Sequence, residues 1–148
     1  MNKMNKKGFT LIEMLVVIAI IAVLVSIIVP VVGNSTTKAA AATNAANLRS
    51  VMAEVAAKHM AEPDKYPVKE GAYTAVNGVI TFSGTGDDAV TMTVPAAKAV
   101  SAGDYSIAKD TQMSVYITAD EITAEYGTDG TIAKLSEVAE TGKAPTAE

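Results

Sequence analysis

The stretch that decides the fold is the N-terminal segment of residues 1–32, MNKMNKKGFTLIEMLVVIAIIAVLVSIIVPVV. A short basic head precedes a run that is apolar from Leu15 to Val32, apart from Ser26. One carboxylate, Glu13, lies just inside the beginning of this apolar segment, where burying a charge is costly. The segment therefore predicts a long apolar helix, and the costly position of Glu13 indicates that this glutamate has a specific role.

The length and the charge asymmetry of the run predict a membrane span. A helix needs about 20 apolar residues to cross a bilayer, and the run is longer than the ~7–15 residue apolar core of a secretory signal. Lys3, Lys6 and Lys7 precede it, and no further basic residue occurs before Lys38. Because positive charge stays on the cytoplasmic side, we expect the N-terminus inside and the residues beyond Lys38 outside.

The rest of the 148-residue chain is acidic and contains no cysteine. The formal net charge is −4, and it is −7 without the three lysines of the head. Such a body is a poor general ligand for nucleic-acid phosphates, so no direct nucleic-acid binding is expected. Small exported domains often depend on disulfides, so their absence indicates either a lineage or compartment that does not rely on oxidation or stability supplied by assembly with other copies.

The N-terminal half of the chain predicts one helix over residues 9–61. Its second part is rich in alanine and carries a narrow apolar stripe at helical spacing, formed by Leu48, Val51, Met52 and Val55. Pro63 ends the helix, and residues 30–37 are its weak point because they contain a proline, a glycine and weak helix formers. The alternative is two helices, the second capped by Asn34 or Ser35.

Beyond about Gly71 the apolar period changes from that of a helix to that of a strand. Asn77-Gly78 predicts a two-residue hairpin, with Tyr73, Ala75, Ile80 and Phe82 on the face that packs on the helix stripe. Further strands are expected at residues 90–94, 113–117 and 122–126, with a short one near Ile132 after a turn at Gly127–Gly130. The predicted fold class is α+β, a long N-terminal helix packed against a small antiparallel sheet of four to five strands.

The string KKGFTLIEMLVVIAII, residues 6–21, resembles the processing site of the type IV pilin family, which includes pseudopilins and competence pilins. The resemblance implies that a prepilin peptidase cuts between Gly8 and Phe9 and methylates the new amine of Phe9. It also matches Glu13 to a glutamate shared across the family and Pro30 to a helix-bending proline. The disulfide loop of many Gram-negative major pilins has no counterpart here, which favours Gram-positive pilins, competence pilins or pseudopilins.

The resemblance implies a leader at 1–8 and a membrane and filament-core part at 9–32. The residue pattern adds the full helix at 9–61, a β-sheet domain at 62–136 and a flexible tail at 137–148. It also implies further partners: other copies of the chain, a pilus assembly ATPase, a polytopic platform protein and, before assembly, membrane lipid. The location changes accordingly, from a single-pass membrane protein to an extracellular filament.

Glu13 is expected to act in assembly. Cutting after Gly8 creates a positive amine at Phe9, and a glutamate buried between helices needs such a partner. The amine of an incoming subunit would meet Glu13 of the previous one and set the register. Near Pro30 and Gly33 the helix is expected to bend or unwind during assembly.

Other chemistry is not expected. His59 is the single histidine and lies near the end of the helix, where a structural or solvent-exposed role is the prediction. The acidic residues of the C-terminal half are expected to lie in solvated turns, although calcium binding stays open; they are Asp87, Asp88, Asp120, Glu121 and Asp129. No catalytic set, metal site or cofactor motif is expected, so the chain is predicted not to be an enzyme.

The prediction is a structural subunit of a type IV pilus. The first alternative is a pseudopilin of type II secretion or a competence pilin. An alternative of another class is a membrane-anchored adhesin or binding module that does not polymerise.

Overall fold

The computed structural model describes residues 8–146. The lysines of the basic head, Lys3, Lys6 and Lys7, lie outside the described residues. Two helices and seven short strands follow one another in this order: α1 (Leu11–Ala61), β1 (Tyr73–Thr74), β2 (Val79–Ser83), β3 (Val90–Thr93), β4 (Val100–Ala102), β5 (Tyr105–Ile107), β6 (Met113–Ile117), β7 (Ile122–Tyr126) and α2 (Ile132–Thr141).

The N-terminal half forms one α-helix, α1, and not the two helices of the alternative reading. It begins at Leu11, two residues later than the sequence pattern predicted, and Pro30 lies inside it. It ends at Ala61, as expected from the restriction that Pro63 places on the residue before it. The chain divides into two compact units, Met1–Asn34 and Ser35–Glu148.

The second unit contains the hydrophobic core. From residue 35 on, α1 presents the buried side chains Ala41, Ala45, Leu48, Val51 and Val55 to the strands. The predicted helix stripe is therefore correct, except that Met52 is only half-buried at the edge of the core. The expected strand face is also correct, since Tyr73, Ala75, Ile80 and Phe82 are all buried in the same cluster.

The strands form three small antiparallel sheets, where one sheet of four to five strands was predicted. Their orders are β1-β6-β7, β2-β3 and β4-β5. The strands expected at 113–117 and 122–126 are present as β6 and β7, and they pair with each other from Met113 opposite Tyr126 to Ile117 opposite Ile122. The β4-β5 hairpin was not predicted, because strands of three residues are too short to show a period of two.

The Asn77-Gly78 turn is present, but the strands beside it separate immediately. Both residues have positive φ, 52° and 76°, as a two-residue hairpin turn requires. Val76 and Val79 exchange backbone hydrogen bonds of 2.8 and 3.1 Å across the turn. β1 then pairs with β6 and β2 with β3, so the predicted hairpin is reduced to its tip.

The prediction of a strand near Ile132 is wrong, because this segment is α2. Thr131 caps it by accepting a hydrogen bond from the Lys134 amide, and Gly142, in the left-handed region at φ 71°, closes it. Leu135 and Val138 are buried, which is the i, i+3 spacing of a helix face. Residues 137–141 of the expected tail are therefore helical, and the flexibility of the remainder stays a prediction.

One buried polar side chain ties α1 to the loop before β4. Asn44 is fully buried, its amide nitrogen donates to the Lys98 carbonyl, and its oxygen accepts from the Lys98 amide, both at 2.8 Å. The two bonds satisfy the amide group, and they fix the backbone of Lys98 against the helix.

Candidate processing and assembly site

The residues before α1 present the expected cleavage bond outside the helix. Gly8, Phe9 and Thr10 have no regular secondary structure and are exposed, Phe9 to 79%. A Cβ placed on Gly8 would meet no atom within 4 Å. The peptide bond between Gly8 and Phe9 is therefore accessible to an enzyme in the structure, although cleavage and methylation there remain predictions.

Thr10 and Glu13 cap the first turn of α1 reciprocally. The Glu13 carboxylate oxygen Oε2 accepts from the Thr10 amide and from the Thr10 hydroxyl, both at 2.7 Å. The Thr10 Oγ1 in turn accepts from the Glu13 amide at 3.3 Å. This is a capping box, in which the side chain of each residue accepts a hydrogen bond from the backbone amide of the other.

The role of Thr10 was not predicted, although the spacing Thr-x-x-Glu before an apolar run is the signal of a capping box. Glu13 therefore has a local structural role that its charge alone does not reveal. That role uses only one oxygen of the carboxylate: within residues 8–146 no hydrogen bond involves Oε1. The same side chain can cap its own helix and still accept a second donor.

The helix that follows is apolar on every side and exposed. Every large apolar side chain from Leu11 to Val32 is exposed, with exposed fractions between 45% and 84%. A helix that is apolar all round is normally buried in a large core or in a membrane. By length and composition, α1 is the one helix among the described residues that is apolar enough to cross a membrane.

Pro30 and Gly33 both lie within α1, close to the point that divides the two units. Pro30 lacks the amide proton that would continue the helical ladder, and glycine is the weakest helix former after proline. A Cβ on Gly33 would meet no atom within 4 Å, so nearby packing does not require glycine there. Bending or unwinding of the helix at this position stays a prediction, based on the low helix propensity of glycine and proline.

Residues 3–29 match a family model, the prokaryotic N-terminal methylation motif. The chain carries the class III signal peptide of type IV pilins and pseudopilins. The match begins in the basic head and covers Gly8, Phe9, Glu13 and most of the apolar run. No curated protein and no solved structure is significantly similar to the chain.

The class III signal peptide supports a type IV pilin-like or pseudopilin protein and implies processing by a prepilin peptidase and assembly into a pilus-like polymer. Together with the long apolar helix, it fits membrane anchoring before assembly. Type IV pilins and pseudopilins, which share this signal peptide, are structural proteins.

The remaining candidate residues occupy structural positions. His59 lies with its Nδ1 2.6 Å from the Tyr66 carbonyl, which closes the loop after α1. Asp129 pairs with Lys134 at 2.9 Å, and Asp87 and Asp88 form a short 3-10 turn, Gly86–Asp88. Within residues 8–146, no group of three histidine or acidic side chains is placed to hold a metal ion.

A surface groove of about 600 Å³ lies between α1 and the turn from β6 to β7. Arg49, Met52, His59 and Met60 of α1 line it together with Asp120 of the turn. Because its lining contains both basic and acidic side chains, Arg49 and Asp120 among them, the groove does not select one class of ionic ligand.

Proposed function

We propose that this protein is a structural subunit of a type IV pilus, cut between Gly8 and Phe9, methylated on the Phe9 amine and polymerised through its N-terminal helix. The observation that carries the proposal is the exposed apolar helix preceded by the class III signal peptide. An exposed apolar surface of this extent needs lipid or other apolar helices around it. A subunit that moves from the bilayer into a filament core is surrounded first by lipid and then by the apolar helices of other subunits.

In the first stage the helix lies in the membrane. From Leu11 to Val32 it is about 33 Å long at 1.5 Å per residue, which matches a hydrocarbon core of about 30 Å. We place the basic head in the cytoplasm and the second unit outside, on the asymmetry of the lysines. Removal of residues 1–8 takes all three lysines of the head away, so that no cationic side chain has to enter the filament core.

In the second stage Glu13 directs docking. Its Oε2 keeps its hydrogen bonds with Thr10, while Oε1 accepts a hydrogen bond from the Phe9 amine of an incoming subunit. A subunit docked out of register would leave a buried carboxylate and a buried amine unpaired, at a cost of about 3–5 kcal/mol. The capping box holds the carboxylate in one orientation before the amine arrives, which reduces the entropy lost on pairing.

Transfer into the filament also acts on the middle of α1. We propose that the helix loosens between Pro30 and Thr37, where proline and glycine weaken it, and lets the two units adjust to their neighbours. A filament map with unbroken helical hydrogen bonding through this stretch would contradict this part of the proposal. The peptidase, the assembly ATPase and the platform protein are the partners that the resemblance supplies.

A pseudopilin or a competence pilin is the second candidate, since the same signal peptide serves all three classes. The absence of cysteine favours it over a Gram-negative major pilin with a disulfide loop. Neighbouring genes separate the candidates: a retraction ATPase indicates a pilus, and an outer-membrane secretin with secretion partners indicates a pseudopilin. An anchored module that does not polymerise would remain on the cell after shearing, whereas filaments would be released.

The first experiment is the intact mass and N-terminal sequence of the protein isolated from its native membrane. A chain that begins with methylated Phe9 supports processing and assembly. A chain that still begins at Met1, or that is cut beyond Val32, refutes the proposal.

The role of Glu13 is then tested by comparing Glu13→Gln with Thr10→Ala in sheared filament preparations. Glu13→Gln should strongly reduce filament yield, because its amide cannot neutralise an amine. Thr10→Ala removes the cap, worth about 1 kcal/mol, but keeps the carboxylate, so filaments should persist. Equal yields of Glu13→Gln and wild-type filaments would show that the charge has no role in assembly.

A further inference from the structure

The turn at Asn77-Gly78 places a chemically reactive pair on the surface of the second unit. Asn77 is exposed, and Gly78 has no side chain to shield its backbone nitrogen. In such a pair the nitrogen of the glycine can attack the side-chain carbonyl carbon of the asparagine. The new C–N bond closes a five-membered imide, the side-chain nitrogen leaves as ammonia, and water then opens the ring to aspartate or isoaspartate.

The structure holds the attacking nitrogen in another contact. The Gly78 amide donates a hydrogen bond to the side-chain oxygen Oε1 of Gln112 at 2.9 Å. Gln112 is itself held, because its Nε2 donates to the Asp110 carbonyl at 2.9 Å. Ring closure requires the Gly78 nitrogen to lose its proton and turn toward Asn77, so this bond must first break.

The rest of the turn is fixed as well. The Gly78 carbonyl accepts a hydrogen bond from the Val94 amide at 2.8 Å. The two backbone hydrogen bonds between Val76 and Val79 close the turn at its base. Both turn residues are in the left-handed region, a conformation set by these bonds. The peptide between Asn77 and Gly78 is therefore anchored on both sides, and the contact of Gln112 is the one that engages the nucleophile.

We propose that Asn77 is a site of spontaneous deamidation and that Gln112 sets its rate by holding the Gly78 amide. The reaction converts a neutral amide to a carboxylate with water as the only co-reactant. An isoaspartate adds one atom to the backbone of the turn, which breaks the fit between Val76 and Val79. This inference does not depend on the function proposed above.

The test is a time course of the full-length protein in detergent at mildly alkaline pH, read by peptide mass spectrometry with separation of aspartate and isoaspartate. Asn34, Asn44 and Asn47, which precede larger residues, serve as internal references. The wild-type protein is compared with Gln112→Ala and with Gln112→Asn, whose side chain is one methylene too short to reach Gly78. Thr111→Ala is the matched control, because its hydroxyl bonds to Ala108 and not to the turn.

We expect both Gln112 variants to deamidate at Asn77 about tenfold faster than wild type, which corresponds to about 1.4 kcal/mol in the barrier. Thr111→Ala should match wild type, and wild type unfolded in urea should react faster than the folded protein. If Gln112→Ala does not fold, Gln112→Asn decides. Equal rates in wild type and a folded Gln112 variant, or in folded and unfolded wild type, would overturn the proposal.

Discussion

The two halves of α1 have the same secondary structure but different surroundings. From Leu11 to Asn34 the apolar side chains are exposed on every side, whereas from Ser35 to Ala61 a single stripe is buried by the strands of the same chain. The second half thus finds its apolar partner within the unit, and the first half does not. The difference shows which part of the helix requires a membrane or other subunits.

The largest effect is expected where the stripe is buried. Leu48 is fully buried, and Leu48→Ala should lower the free energy of unfolding of the second unit by about 2–5 kcal/mol, through lost burial and the cavity left behind. Tyrosine fluorescence during a urea titration measures it, because all five tyrosines lie between residues 66 and 126.

The matched control for this loss is Leu24→Ala. Leu24 is half exposed in the first half of the helix, so the unfolding midpoint of the second unit should not change. Equal destabilisation by both substitutions would show that the two halves do not differ in the way described.

A charge in the first half should have the next largest effect. Ile20→Lys places an ammonium near the middle of the apolar run, where insertion into a bilayer costs about 2.5–3.5 kcal/mol for a lysine. The fraction of protein that stays in the membrane pellet should fall. Ala46→Lys, at an exposed position of the second half, is the control and should leave that fraction unchanged. Retention of Ile20→Lys at the wild-type level would argue against a membrane span.

The buried amide of the second half should have a smaller effect. Asn44→Ala removes both hydrogen bonds to the Lys98 backbone and should cost about 1–3 kcal/mol in the free energy of unfolding. Thr43→Ala is the neighbouring control, because the Thr43 hydroxyl donates to the Ala39 carbonyl of its own helix. If the two substitutions have the same effect in a urea titration, the contact of Asn44 with Lys98 contributes nothing.

The contrast between the halves explains what could be predicted from the sequence. The helix, its end before Pro63 and its stripe follow from local rules, namely alanine content, the restriction by proline and a period of 3.6. The separation of β1 from β2 does not, because β1 pairs with β6, some 40 residues away along the chain. The strand predicted near Ile132 rested on that one β-branched residue. Two helix signals in the same segment were not used: the capping residue Thr131 and the i, i+3 spacing of Leu135 and Val138.

The candidate site shows the same limit. The motif predicts roles for Gly8, Phe9 and Glu13, but it does not predict the direction in which the Glu13 carboxylate points. Only the structure shows that Thr10 binds Oε2 of this carboxylate, while Oε1 has no hydrogen bond within residues 8–146. Likewise Asn44 lies among alanines in the sequence, and nothing local indicates that its partner is the backbone of Lys98.

The smallest effect is expected from alkaline pH, which should lower the stability of the second unit without changing how the first half of α1 is held in the membrane. Burial and the negative charge of Asp129 raise the pKa of Tyr105 to about 12, whereas an unfolded tyrosine ionises near 10. The protonated form is thus favoured in the folded state, so its contribution is complete below pH 10 and is lost as the pH rises toward 12. The sequence has no titratable side chain between Glu13 and Lys38, so the first half of α1 does not change its charge as the pH rises.

Unfolding followed by circular dichroism should therefore show a less stable second unit above pH 10 while the protein stays in the membrane pellet. Tyr105→Phe lacks the ionising group and should lose less stability over this range, although it forgoes the hydrogen bond to the Asp129 carbonyl at neutral pH. Release from the membrane over the same range would mean that the first half is held by titratable groups, and not by its apolar surface.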